Sequence, residues 1–275
     1  MIGDKTIYSM KLSTLYFTDI FVYNVNERQA SSNSKDSLYF DSIGAGSDLI
    51  KEKALEKALS EYIERKVFFS LKDSDCYTYS RFGFDMNPTT DGMAAHWWGF
   101  KARRNAKHEA LERWTLHHWW NDLLSFERVK SSHPHRTILS KTYKQFNTIV
   151  VLICDYREES GFFYGFAAHK NFDKAYNKAL VELDRNHRVL TYYNKKKPEL
   201  SEFREKRVVY FSSPEGFSEF AKKVRKNESI KDLVFPEVYL DKEIPGPWQK
   251  WRRVWRVLFK QHIPQDYKNL NVFMF

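Results

Sequence analysis

The chain has 275 residues with 45 Lys and Arg against 35 Asp and Glu, a net charge of +10, and 42% hydrophobic residues. That length and apolar content suffice for a large core and exclude a disordered chain. No run of about 18 apolar residues announces a membrane span, and Met1–Lys11 lacks the basic-then-apolar pattern of a signal peptide. Cys76 and Cys154 stand alone, which excludes a thiolate zinc site and fits the reducing cytoplasm.

Taken in chain order, Tyr16 to Asn26 is rich in β-branched and aromatic residues and predicts a strand. Asp48 to Leu71 predicts a long helix, capped by Ser47 or Asp48 and ending near Lys72. Tyr77 to Phe84 alternates as a strand until Asn87-Pro88 breaks it. A second long helix is expected from Phe100 to Arg128. Phe146 to Tyr156 predicts a buried strand, turning at Glu159-Ser160-Gly161 into a second strand, Phe162 to Ala168. A third helix follows from Phe172 to Tyr193, with Asn171 as cap, and Asn194 to Arg207 reads as a charged linker. Pro214 to Val224 predicts an amphipathic helix, Pro236 to Asp241 a strand, and Pro245-Gly246-Pro247 a break. The mixture is α+β (mixed α/β), with antiparallel pairing in at least one sheet.

Three stretches repeat. Gly44-Ala45-Gly46-Ser47, Gly92-Met93-Ala94-Ala95 and Gly165-Phe166-Ala167-Ala168 are each followed at fixed distances by two alanines and a glutamate. The sets are Ala54, Ala58 and Glu61; Ala102, Ala106 and Glu109; Ala175, Ala179 and Glu182. Two copies end in E-x-x-E-R, as Glu61 to Arg65 and Glu109 to Arg113. The repeat reads as a small-residue turn, a helix start, alanines four apart and an acid three residues on. Positions i, i+4 and i+7 share one helix face, so each copy makes a stripe of small side chains leading to a carboxylate. Another backbone or a ligand can approach such a stripe closely. Acids one turn apart, Glu61 with Glu64 and Glu109 with Glu112, repel unless a cation or water intervenes. Repeats of this kind stack around a common centre, so the three helices are expected to turn Glu61, Glu109 and Glu182 toward one cavity.

The basic residues cluster at Lys101–Lys107, Lys195–Lys197, Lys222–Lys226 and Gln249–Lys260. A cationic chain permits an anionic partner. In Trp251-Arg252-Arg253-Val254-Trp255-Arg256 cations alternate with aromatics, as on nucleic-acid surfaces. A half-buried element whose arginines reach out to water accounts for the pattern better. Trp97, Trp98, Trp119 and Trp120 suit a core, with a peptide-binding wall as the other reading. His117-His118, His133 and His135 lack acid or cysteine partners at metal spacing.

The segments 44–69, 90–114 and 165–188 resemble, in order and context, the three helical motifs of the YcaO family of ATP-dependent enzymes that modify peptide backbones. The first segment is most similar to the cyclodehydratase subunits of azole-peptide pathways. The resemblance implies ATP bound with more than one Mg²⁺. It also implies phosphorylation of a peptide amide oxygen after a nucleophile adds to the carbonyl carbon, with loss of phosphate giving an azoline, amidine or thioamide. Carried over by position, Glu61, Glu64, Glu109, Glu112 and Glu182 would be metal ligands. Lys57, Arg65, Arg113, Lys178 and Arg185 would face the nucleotide, or Arg65 and Arg113 would make i, i+4 salt bridges. The implied partners are a precursor peptide, a ubiquitin-activating-enzyme-like protein that grips its leader, a dehydrogenase and a second copy of the chain. One domain, 1–275, is expected, with a repeat-bearing core at 44–188 and a C-terminal part at 208–275. Lys57, Trp97, Lys101 and Arg185 stand where that family commonly has polar or acidic residues. The chain therefore reads as an ATP-dependent enzyme or as a nucleotide-free binding subunit, with a nucleic-acid-binding protein as the third reading.

Overall fold

The computed structural model describes residues 5–12, 20–27, 43–72, 76–157, 161–196, 200, 203–261, 263 and 270. They fall into two compact units, the first drawn from 1–32, 41–114 and 236–262, the second mainly from 115–235. The first two copies of the repeat lie in the first unit and the third copy in the second. The fold is α+β, with three sheets in which every described strand pair is antiparallel.

In the first unit, β1 (Lys5–Leu12), β2 (Ile20–Glu27) and β3 (Gly44–Asp48) form one sheet in that order. Strands β4 (Met93–His96), β10 (Arg253–Phe259) and β9 (Val238–Ile244) form another. Helix α1 (Lys51–Lys72) packs on β3, β2 and β4. Around it gather Tyr23, Val25, Tyr62, Ile63, Val67, Phe82, Phe84, Met93, Ile244 and Val254, the core of this unit. The short helix α2 (Cys76–Arg81) follows α1, and α3 (Gly99–Trp120) runs in this unit as far as Trp114. In the second unit, β5 (Glu127–Val129), β6 (Arg136–Tyr143), β7 (Thr148–Arg157) and β8 (Gly161–His169) form a meander. Helix α4 (Phe172–Lys196) packs on β7 and β8. Helices α5 (Phe203–Ser212) and α6 (Pro214–Lys226) pack on each other and on β8. The aromatic surplus is spent here: Trp119 lies edge-on to Phe126 and Phe220 at 5.6 Å, and Tyr156 stacks on Phe217 at 4.1 Å.

The small-residue stretches are strands, not the turns their glycines suggest. Gly44 and Gly46 lie in β3, and Gly165 lies in β8. None of the three has positive φ; they serve close approach instead. A Cβ on Gly44 would stand 2.4 Å from the Ala58 carbonyl oxygen, on Gly46 2.1 Å from that of Ala54, and on Gly165 2.0 Å from that of Ala179. The partners are the repeat's alanines, all fully buried. Each strand therefore lies on the bare backbone of its own helix. Only Gly92 is a turn glycine, at φ 69°, and a Cβ there would meet the Val257 carbonyl oxygen at 1.9 Å.

A second repeat feature was not anticipated. Four residues after each repeat glycine stands an acceptor that takes the backbone N–H two residues on. Ile50 donates to Asp48 Oδ1 at 3.1 Å, Trp98 to His96 Nδ1 at 3.1 Å and Asn171 to His169 Nδ1 at 3.0 Å. These bonds turn each chain from strand into helix. Asn171 then caps α4, its Oδ1 accepting from Lys174 N at 3.0 Å.

Three other expectations are corrected, and two strands are added. Tyr77 to Phe84 is helix α2 and a turn rather than a strand, with Tyr79 stacked on Phe84 at 5.3 Å, so ring packing overrides the alternation. Helix α3 stops at Trp120 because Asp122 adopts the left-handed conformation, φ 62°. Phe203 to Arg207 opens α5 rather than closing a linker; residues 197–199 and 201–202 of that linker, like Tyr16 to Asp19 of the first predicted strand, lie outside the described residues. Strands β5 and β6 were not anticipated at all.

Gly44→Ala and Gly165→Ala should each cost about 3 kcal/mol or more, the upper end for forced overpacking, while Gly99→Ala, whose added Cβ meets nothing closer than 4.0 Å, should be neutral. Urea unfolding of the three variants checks this, and wild-type stability for Gly165→Ala would refute the close-approach account.

Candidate functional site

Because strand and helix backbones touch, the acids that end the alanine stripe come down on strand backbones. Glu61 Oε2 accepts the Ala45 N–H at 2.9 Å, and its Oε1 accepts Arg65 Nη2 at 2.5 Å. One turn on, Glu64 Oε1 accepts the N–H of Ala95, in the strand of the second copy, at 2.6 Å. Helix α1 thus grips β3 with one acid and β4 with the other.

Burial, foremost, pushes the Glu64 carboxyl up to about 8; the nearby Glu61 charge adds to this, while the Ala95 N–H and Arg65 oppose it. Glu109, on α3, is held well above the ordinary carboxylate range, first by burial and next by the Glu64 charge, with Glu112 and Asp91 adding and Arg113 opposing. Acids from two copies of the repeat therefore share one electrostatic environment. Glu109 has no hydrogen bond among the described residues, and Oε2 of Glu64 receives none.

Two groups complete this site. Asp91, in the turn before Gly92, places Oδ1 at 4.0 Å from Arg113 Nε, and its Oδ2 is buried without a hydrogen bond. Arg256, on β10, is fully buried with its guanidinium 3.6 Å over the Phe84 ring. The sequence carried a signal for each: Asp91 abuts a repeat glycine, and Arg256 alternates with Val254, a core position.

The remaining candidates distribute as follows. Lys57 pairs with Asp48 at 2.7 Å and donates to the Ser47 carbonyl at 2.9 Å, so it neither approaches the glutamates nor stands free. Arg65 makes the i, i+4 bridge to Glu61. Arg113 acts electrostatically on Glu109 and stands beside Asp91. Glu112 is half-buried next to Glu109. Glu182, Lys178 and Arg185 lie on α4 in the second unit, Glu182 and Arg185 half-buried and Lys178 exposed. The arginines of the Trp251–Arg256 stretch do not all reach water: Arg252 and Arg256 are buried, so the stretch offers no cationic face for nucleic acid. Arg252 lies 3.7 Å over the Trp97 ring and donates to Glu56 at 2.9 Å. Trp119 is core, whereas Trp97, Trp98 and Phe100 stand 53%, 60% and 67% exposed, with Leu49 and Ile50 also exposed in the same unit.

Among the described residues no three His, Cys, Asp or Glu side chains are arranged to hold a metal ion by themselves. Mg²⁺ does not require such a cage; one or two carboxylates with phosphate oxygens and water are its usual shell. The mutually repelling Glu64 and Glu109 carboxyls fit an ion that arrives with phosphate. Glu61 already accepts one hydrogen bond on each oxygen, from Ala45 and Arg65.

No protein-family model matches the sequence, and no curated protein is similar to it at a significant level. The fold does have solved counterparts. One is a chain of the E. coli microcin synthetase McbBCD complex, at TM-score 0.56 and 11% identity, covering 94% of this chain and 90% of that one. The same complex with pro-MccB17 bound gives 0.59 and 12%, covering 92% and 87%. YcaO from Methanopyrus kandleri bound with AMPPCP and Mg²⁺ gives 0.51 and 14%, covering 92% and 84%. The chain therefore has a YcaO-like fold. Among the described residues no helix is long and apolar enough to cross a membrane.

Folding keeps protons on Glu64 and Glu109 at pH values where the unfolded chain has released them. The metal-free protein should therefore lose stability as pH rises from about 4.5 toward about 8. Melting curves in EDTA at pH 5, 6.5 and 8 test this, at roughly 2–4 °C per kcal/mol for a chain of this size. Glu64→Gln should flatten the slope; an unchanged slope would remove Glu64 from the site.

Proposed function

We propose that the chain is the YcaO-like subunit of a complex that modifies backbone amides of a ribosomally made peptide, using ATP and Mg²⁺ to form azolines or related heterocycles. The meeting of Glu64 and Glu109, half-buried acids from two copies of one repeat, in one electrostatic environment, with Glu64 on the Ala95 N–H, carries the reading. The YcaO-like fold supports it, as does the nucleotide and Mg²⁺ bound by the Methanopyrus kandleri protein. Bound Mg·ATP would supply the phosphoryl group and a charge to polarise it.

The chain's own residues then divide the work. Glu64 and Glu109 offer free carboxylate oxygens to the cation, losing the protons they hold without it. Arg113 offsets part of their repulsion and remains beside Asp91, while Arg65 neutralises Glu61 and so keeps a third negative charge from the pair. Glu112 stands one turn past Glu109, within reach of a water-mediated contact. The exposed Trp97, Trp98 and Phe100 favour work within an assembly, consistent with a precursor peptide, a ubiquitin-activating-enzyme-like leader-binding protein and a dehydrogenase as partners, and with self-association. The Arg65 clamp on Glu61 favours a second reading, a binding subunit that holds the peptide or an active partner without turnover.

Calorimetry with Mg·ATP, on the chain alone and with its partners, separates the two. Under the enzymatic reading wild type binds, Glu109→Gln weakens binding about tenfold or more, roughly 1.4 kcal/mol per decade, and both Glu109→Gln and Glu112→Gln abolish turnover with the fold intact. No nucleotide binding under any of these conditions sinks it. Lys57→Ala should lower the melting temperature slightly, through loss of the Asp48 pair, and leave Mg·ATP binding within about twofold.

A further inference from the structure

We propose that Arg256 is a positioning residue of the carboxylate site: a fixed, fully buried positive charge that holds the turn carrying Asp91 and stands as resident counter-ion to Asp91. The inference rests on the reading of that site as a cation site.

Strand β10 runs antiparallel to β4 with Arg256 opposite Met93, so Asp91 lies two residues beyond in the partner chain segment. The join is backbone to backbone. Val257 N donates to the Gly92 carbonyl at 2.9 Å, and Gly92 leaves no room for a side chain against Val257. Arg256 secures the rest of the turn, its Nη2 donating to the carbonyls of Asn87 at 2.6 Å and Thr89 at 3.1 Å. The turn is braced internally as well. Thr89 Oγ1 donates to Asn87 Oδ1 at 2.6 Å and accepts the Asp91 N–H at 3.1 Å. These bonds leave Asp91 little freedom to move away from β10.

The two carbonyls engage one of the three guanidinium nitrogens, Nη2, and leave the other two. Nε and Nη1 of Arg256 are buried without a hydrogen bond, as is Oδ2 of Asp91. A buried guanidinium so incompletely bonded is costly unless opposite charge compensates it. The compensation comes from acids of this site. Burial draws the Arg256 pKa down to about 9, and the charges of Asp91, Tyr79, Asp85 and Glu109 oppose the fall, so the group remains a cation at neutral pH. Packing on the Phe84 face adds a cation–π contact. A lysine could carry the charge, but it could not hold two carbonyls and lie flat on the ring.

A thermal double-mutant cycle in EDTA tests the pairing. Arg256→Met should lower the melting temperature sharply in the wild-type background, and by roughly half as much or less when Asp91→Asn is also present, because removal of the acid removes the uncompensated charge. Where Arg256→Met alone does not fold, Asp91→Asn should restore folding. Additive losses, or no rescue, would reduce Arg256 to a clamp and overturn the proposal. Mn²⁺ titration followed by electron paramagnetic resonance gives the second readout. Loss of a resident counter-ion should tighten Mn²⁺ binding severalfold in folded Arg256→Met, whereas equal or weaker binding also overturns it. If wild type binds no Mn²⁺, with or without nucleotide, the cation site itself fails, and the cycle still decides whether Arg256 is paired with Asp91.

Discussion

The contact on which the rest of this structure depends is the approach of a strand to the backbone of the helix that follows it. With glycine in the strand and alanine in the helix, no side chain separates the two in the first and third copies. Such an approach shields backbone groups from water and requires partners for them. Glu61 supplies one for β3, and Glu64 supplies one for β4. An acid that ends a stripe of alanines is therefore placed by packing before any ligand is considered. The same packing dehydrates it, and dehydration raises the Glu64 and Glu109 carboxyls.

Much of this was legible in the sequence. The period of the repeat located all three helices, and the four-residue spacing of Ala54 and Ala58 implied that a backbone would come close. The hairpin of β7 and β8 was visible in its β-branched run. The glycines misled because their two uses look alike in a sequence: freedom of φ, which only Gly92 needs within the repeat, and absence of a side chain, which Gly44, Gly46 and Gly165 provide. In the same way, alternation over Tyr77 to Phe84 suggested a strand because the stacking of Tyr79 on Phe84, which settles the helix and turn, is a tertiary contact. Asp122 ends α3 through a left-handed residue that propensity alone does not single out.

The candidate site was legible in its acids but not in its cations. Glu64 and Glu109 follow from the repeat. Arg256 does not, because a charge in a strand is ordinarily assigned to the solvent face, and this one lies with Val254 on the buried face. Asp91 belongs to no helix, and its position is set by the joining of β10 to the Gly92 turn. Both residues are fixed by contacts more than 100 positions apart in the chain, such as that of Arg256 with Asn87. Local pattern marks the two residues only singly, by the glycine after Asp91 and the alternation of Arg256 with Val254, and does not pair them.

The copies of a repeat start alike and differ in what each must still satisfy. In the first copy the acid at the end of the stripe is fully engaged, one oxygen on Ala45 and the other on Arg65. In the second, the equivalent Glu109 is half-buried and has no hydrogen bond among the described residues, and the Glu64 charge adds to the burial that raises it. Duplication supplies the same geometry twice, and hydrogen-bond satisfaction then separates the roles. A carboxylate that has found its donors is a structural element, and one partly buried beside another acid without them holds its proton more tightly until a cation replaces it. By that criterion Glu64 and Glu109, not Glu61, are the acids of the first unit whose burial still opposes their charge.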